Sequence, residues 1–133
     1  MYLLNPSNSD KWLPIVEPLL HKAYEKTKVG IFVPKEELRE DLIKGDQHCF
    51  ISPDLKYAGV FSVTDKTVKF WLSGGEEPLG GWKAVDQFLE KMCHLFDKPY
   101  IQLEGRLGWK RKVEPLGYEV DSLIMIKTVE VPQ

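Results

Sequence analysis

Apolar residues recur along this chain in two rhythms, and each marks a different kind of element. At three-and-four spacing, Trp12, Ile15, Val16, Leu19, Ala23 and Tyr24 fall on one helical face. A broader stripe of Trp82, Val85, Phe88, Leu89, Met92, Leu95 and Phe96 predicts the strongest helix in the chain, one that must pack on a sheet. Strict alternation appears at 67–72, where Val68, Phe70 and Leu72 interleave with Thr67, Lys69 and Trp71 and predict a strand with one buried face. It follows a strand at 57–63 through a turn at Asp65 and Lys66, which makes a hairpin.

The remaining elements follow from punctuation. Residues 2–4 read as a short first strand, and Ser9 or Asp10 can cap the helix behind it. Pro14 suits a first turn, but Pro18 removes an interior hydrogen bond and predicts a kink or two short helices. Pro34 opens a second, short helix with Glu36 and Glu37 in its first turn, Leu38, Leu42 and Ile43 inward, and Gly45 as its stop. Residues 47–52 and 100–104 read as strands, 107–116 as a helix ended by Pro115 and Gly117, and 118–129 as one or two closing strands turning near Asp121 and Ser122. The order is βααβββαβαβ.

Composition narrows what such a chain does. At 133 residues, 43% hydrophobic and 29% charged, it suits one globular domain spanning 1–133 with a core of its own. A net charge of −2 supplies no basic field for a nucleic-acid backbone, so nucleic acid is not the expected partner. No apolar run reaches membrane-spanning length, and residues 1–10 hold too short an apolar stretch for a signal peptide. Cys49 and Cys93 lie in apolar stretches without close-spaced partners and read as buried reduced thiols of a cytoplasmic protein.

Candidate chemistry is sparse. His48–Cys49 and Cys93–His94 bring zinc-type ligands together, but neighbouring residues diverge on a strand and on a helix, so no metal is expected. No Ser, His and acid set stands in a nucleophile motif. Arg106, Lys110, Arg111 and Lys112 form the densest positive charge, either a docking point for a phosphate or an acidic surface or simply a solvated helix face. Trp109 beside them is either an exposed stacking residue or a core anchor.

Two segments carry a family resemblance. Residues 113–118 read Val-Glu-Pro-Leu-Gly-Tyr, a helix end followed by a glycine and an aromatic, and this resembles the corresponding segment of GNAT-type acyltransferases. Residues 104–109 read Glu-Gly-Arg-Leu-Gly-Trp and resemble a run in small GNAT-like proteins encoded by bacteriophages. The resemblance, which extends to the element order over the whole chain, implies an α/β (α+β) domain with a mixed, mostly antiparallel central sheet flanked by helices. It implies acetyl-CoA as cofactor, with its diphosphate on backbone amides at the start of the long helix. The cofactor contacts so implied are Gly80, Gly81, Leu72, Arg106 and Lys110. The family's sheet parts between the strands at 67–72 and 100–104 to admit the pantetheine arm, and Trp71, Trp82 and Trp109 are the side chains able to fill that gap.

Departures from the family pattern are specific. Glu77 stands where the loop motif has arginine or glutamine, and Trp82 where it has a small residue; Glu76 and Glu77 also suit a helix start by charge. Val113 stands where the family has the tyrosine that protonates the departing thiolate, which leaves Glu104 as the candidate catalytic residue, or a surface carboxylate paired with Arg106 or Lys110. Two functions follow: acetyl transfer to an amine acceptor, or a non-enzymatic scaffold, as a phage virion component or an effector that binds a host protein in the host cytoplasm.

Overall fold

The computed structural model describes residues 1–26, 33–105, 108–122, 125 and 127–130. Its strands are β1 (Tyr2–Leu3), β2 (His48–Ile51), β3 (Tyr57–Val63), β4 (Thr67–Gly75) and β5 (Tyr100–Leu103); its helices are α1 (Ser9–Tyr24), α2 (Lys35–Lys44), α3 (Gly81–Phe96) and α4 (Gly108–Val113). Among the described residues the strands form one mixed sheet in the order β1-β2-β3-β4-β5. The first four pair antiparallel and β5 lies parallel to β4. Parallel neighbours need a crossover, and α3 supplies it.

Side chains alternate between two cores. On one face α1 and α2 cover Cys49, Ile51, Ala58 and Val60; on the other α3 covers Phe50, Phe61, Val68 and Phe70. The alternation predicted for 67–72 breaks at Trp71. Val60 stands opposite Leu72 and Phe61 opposite Phe70, so Trp71 is an extra residue on β4, a bulge. Trp71 and Leu72 therefore both turn to the α1 side, where Trp71 Nε1 donates to Gln47 Oε1 at 2.8 Å. Beyond the bulge the parity is reversed, and Ser73 lines the α3 side.

The first helix corrects an expectation. It runs unbroken through Pro14 and Pro18, and its N-cap is Asn8, without a side-chain cap bond, in place of Ser9 or Asp10. Both prolines are exposed, while Trp12, Leu13, Val16, Glu17 and Leu20 are buried on the opposite face. The two missing N–H groups would have met the carbonyls of Asp10 and Pro14, on the wet side, where water replaces them. Arg39 of α2 clamps Glu17 through two hydrogen bonds of 2.6 and 3.1 Å and ties the helices together. Pro18→Ala is expected to raise stability by about 1–2 kcal/mol, the interior-proline cost less the entropy that proline removes from the unfolded chain. Thermal melts measure it, and a lowered Tm would mean that the helix is shaped around the ring.

Other boundaries shifted less. Gly45 ends α2 in a left-handed conformation (φ 80°), as its position predicts, but Ile43 is 47% exposed instead of inward. Ile15 likewise faces outward at 41%. The helix expected at 107–116 divides into α4 and a 3-10 turn at Glu114–Leu116, closed by Gly117. No strand forms among the described residues of 118–129; residues 123, 124 and 126 lie outside the description. Instead Tyr118 reaches α3, its hydroxyl donating to Asp86 Oδ1 at 2.5 Å, and burial with that carboxylate pushes its pKa far above the ordinary phenol value.

Candidate functional site

Strand β4 is longer than its parallel neighbour, and the site follows from that difference. Pairing with β5 covers only the stretch from Thr67 to Phe70, and the last backbone bond, from Glu104 N–H to the Phe70 carbonyl, is 3.0 Å. Past this fork residues 72–75 stay paired with β3 on one side, while among the described residues the pairing with β5 ends at Phe70. Next, Gly80 (φ 86°) and Gly81 (φ 58°) use left-handed backbone to turn the chain into α3, with Gly81 N–H bonded to the Pro78 carbonyl at 2.8 Å.

Between the β4 end, the α3 start and α4 lies a cavity of about 130 Å³, lined among others by Tyr57, Ser73, Gly81, Trp82, Trp109 and Lys112. Lys26, from the turn after α1, and Glu77 also reach it. Tyr57 opens β3 opposite Gly75 and is buried. Burial pushes its hydroxyl up to about 12, Ser73 opposes the rise by a hydrogen bond, and the Glu77 charge adds to it. Tyr57 is therefore a protonated donor across the physiological range.

The inner end of the cavity is aromatic. Trp109 stacks on Phe70 with centroids 5.5 Å apart and meets Trp82 at 4.9 Å. Gly105 accepts this ring by having no side chain: a Cβ there would stand 2.3 Å from Trp109 Cε3. Trp82 and Trp109 thus pack on Phe70, the last β4 residue paired with β5, whereas Trp71 belongs to the other core.

Several sequence-predicted residues fall elsewhere. Gly81 lines the cavity and Gly80 is the N-cap of α3. Leu72 is 3% exposed, with its side chain in the α1-side core, because the bulge reverses its face. Lys110 turns to Glu114 at 3.3 Å and is not among the lining residues; Lys112 is. Arg106 lies outside the described residues. Glu104 stands at the fork and pairs with Lys69 of β4 at 2.7 Å, and among the described residues no ion pair joins it to Lys110; both side chains of the pair are largely shielded (13% and 21% exposed). Val113 is buried and offers no proton. Glu76 and Glu77 precede α3 and do not enter its first turn. Nothing in the sequence singles out Tyr57, Ser73 and Lys26; only the fold brings them to the cavity.

The thiols and imidazoles do not converge. His48 stacks against Phe61 and Phe96 on the α3 side, where burial lowers its pKa, while Cys49 is buried in the opposite core. Cys93 is only partly buried, contrary to expectation, and its thiol donates to the Tyr100 carbonyl. Among the described residues no three His, Cys, Asp or Glu side chains gather as a metal site, and no helix is long and apolar enough to cross a membrane.

This arrangement, a mixed sheet forked beside a glycine-opened helix, is the GNAT-like fold of N-acetyltransferases. Glucosamine-6-phosphate N-acetyltransferase from Arabidopsis thaliana superposes over 97% of each chain with a TM-score of 0.55 at 16% identity. An aminoglycoside acetyltransferase from an uncultured soil metagenomic sample, solved in complex with sisomicin, covers 97% of this chain and 95% of its own, with a TM-score of 0.55 at 11% identity. At such identities the likeness is one of fold. No family model matches the sequence. A stretch of 75 residues is 35% identical to elongation factor 4 of Halalkalibacterium halodurans; it takes in 56% of this chain but spans only 12% of that protein.

Proposed function

We propose that the chain binds an acyl-CoA at the fork between β4 and β5 and transfers its acyl group to an amine. The observation that carries this reading is that β4 runs on past its last β5 pair, at Phe70, to the start of α3, with a cavity between them. The residues fit the cofactor unevenly. At the mouth, backbone N–H groups at the start of α3 and the ammonium groups of Lys26 and Lys112 suit a diphosphate. Deeper in, the Trp109 ring stands where the pantetheine arm would lie, so entry requires that ring to leave the fork. When bound, the thioester supplies the activated acyl carbon.

The chain's own contribution is mainly positional. Tyr57, protonated and buried, has a hydroxyl proton to offer a ligand from the cavity wall. Glu104, paired with Lys69 at the end of β5, is not among the residues lining the cavity but is a carboxylate at the fork that can take a proton from an attacking amine. Val113 is buried and has no proton to give, so this chain would supply no side-chain acid from that position to a leaving thiolate, whose proton would have to come from solvent.

Acetyl-CoA at about 100 times its dissociation constant is expected to add about 2.7 kcal/mol, a rise of several degrees in Tm. Glu104→Gln should preserve that shift while lowering turnover with amine acceptors. An absent shift would remove the acyl-CoA reading.

One observation favours a second reading, a protein-binding scaffold: the fork is filled by tryptophan and the acid position by valine. Exposed Arg111 and Lys112 on α4 would then form the contact, with a virion or host protein as partner if the chain is phage-encoded. Charge reversal at both positions should abolish capture of that partner.

A further inference from the structure

The loop between β4 and α3 carries two adjacent carboxylates, and the fold treats them differently. Glu76 leans outward towards Lys56, Nζ to Oε2 3.8 Å, while its backbone N–H bonds the Lys56 carbonyl at 2.8 Å. Glu77 folds inward. A Cβ on Gly81 would stand 3.3 Å from Glu77 Oε1, so the carboxylate rests against the first residue of α3 in the space that the missing side chain leaves. It lines the cavity together with Lys26 and Lys112, yet no ion pair joins it to either among the described residues. Its charge also reaches the Tyr57 hydroxyl.

We propose that Glu77 is the selectivity residue of this cavity: folded over Gly81, its carboxylate takes the place of a diphosphate at the start of α3, so a phosphate-bearing ligand enters only when that side chain swings out. The inference rests on the acyl-CoA reading and adds its control element. A carboxylate and a phosphate a few ångströms apart repel strongly in a partly desolvated cleft, whereas a carboxamide of the same shape does not. Glu77 is exposed on its outer side, so the swing leaves no buried group behind.

Glu77→Gln preserves volume and removes the charge, and Glu76→Gln serves as its control. By calorimetry with coenzyme A, and separately with inorganic pyrophosphate, Glu77→Gln is expected to tighten both ligands about tenfold, an effect that shrinks as salt is raised. Glu76→Gln should leave both affinities unchanged. Coenzyme A binding equally well to wild type and Glu77→Gln would overturn the role of Glu77 while preserving the acyl-CoA site. Equal gains from the two variants would overturn it too, since a general loss of negative charge would then suffice. If neither wild type nor Glu77→Gln binds coenzyme A, the selectivity role and the acyl-CoA reading fall together; binding by the variant alone supports both.

Discussion

Phe50→Ala is expected to destabilise the chain by about 4 kcal/mol, within the range for removing a buried aromatic side chain. Phe50 is fully buried on β2, and its ring meets those of Phe88 at 4.6 Å, Phe70 at 5.6 Å, Tyr57 at 6.3 Å and Phe61 at 6.4 Å. It thus joins three strands to α3 in one tilted cluster, the geometry that ring quadrupoles favour. Gly59 opposite makes room for it, since a Cβ there would stand 2.4 Å from Phe50 Cζ. Alanine would leave a cavity walled by rigid rings that cannot collapse into it. Against a typical total of about 5–15 kcal/mol, this loss moves the urea midpoint far towards zero. A loss below about 1.5 kcal/mol would mean that the cluster repacks, and that the α3-side core is less specific than its geometry implies.

How far the sequence foretold this architecture depends on whether local rules governed each segment. The stripe of α3 and the αL stop of α2 at Gly45 follow from spacing and backbone sterics within one element, and both are where the sequence places them, except for Leu95, which is 62% exposed near the end of α3. The bulge at Trp71 is different. Residues 70–72 form an unbroken apolar run, and only the pairing with β3 decides which residue is extra, so Leu72, expected on one face with Val68 and Phe70 and implied as a cofactor contact, lies in the other core. Pro18 misled for a related reason. An interior proline costs a hydrogen bond and crowds the carbonyl four residues back, and whether the helix continues depends in part on which face the tertiary fold buries. At the site, the loop glycines and the two tryptophans were legible from their positions, but Tyr57 and Lys26 come from elements distant in sequence and acquire a role only when β4 outruns β5.

The same dependence on tertiary context makes Trp109 the most informative position in the chain. Trp109→Ala is expected to cost about 2 kcal/mol, less than a fully buried indole because the ring is only partly covered. In exchange it should tighten acetyl-CoA by at least about tenfold, because the ring no longer has to be expelled from between Phe70 and Trp82 before the arm can enter. Trp109→Phe provides the gradation: a smaller ring stacked on Phe70 should give an intermediate affinity and nearly full stability. The two quantities are measured on the same samples, stability from urea unfolding and affinity from calorimetry, and the fork reading requires them to move in opposite directions. If affinity falls along with stability, Trp109 is a wall that the ligand uses instead of a plug that it must displace. If affinity is unchanged, the cofactor does not pass between β4 and β5, and the GNAT-like sheet serves here as a scaffold for a protein partner.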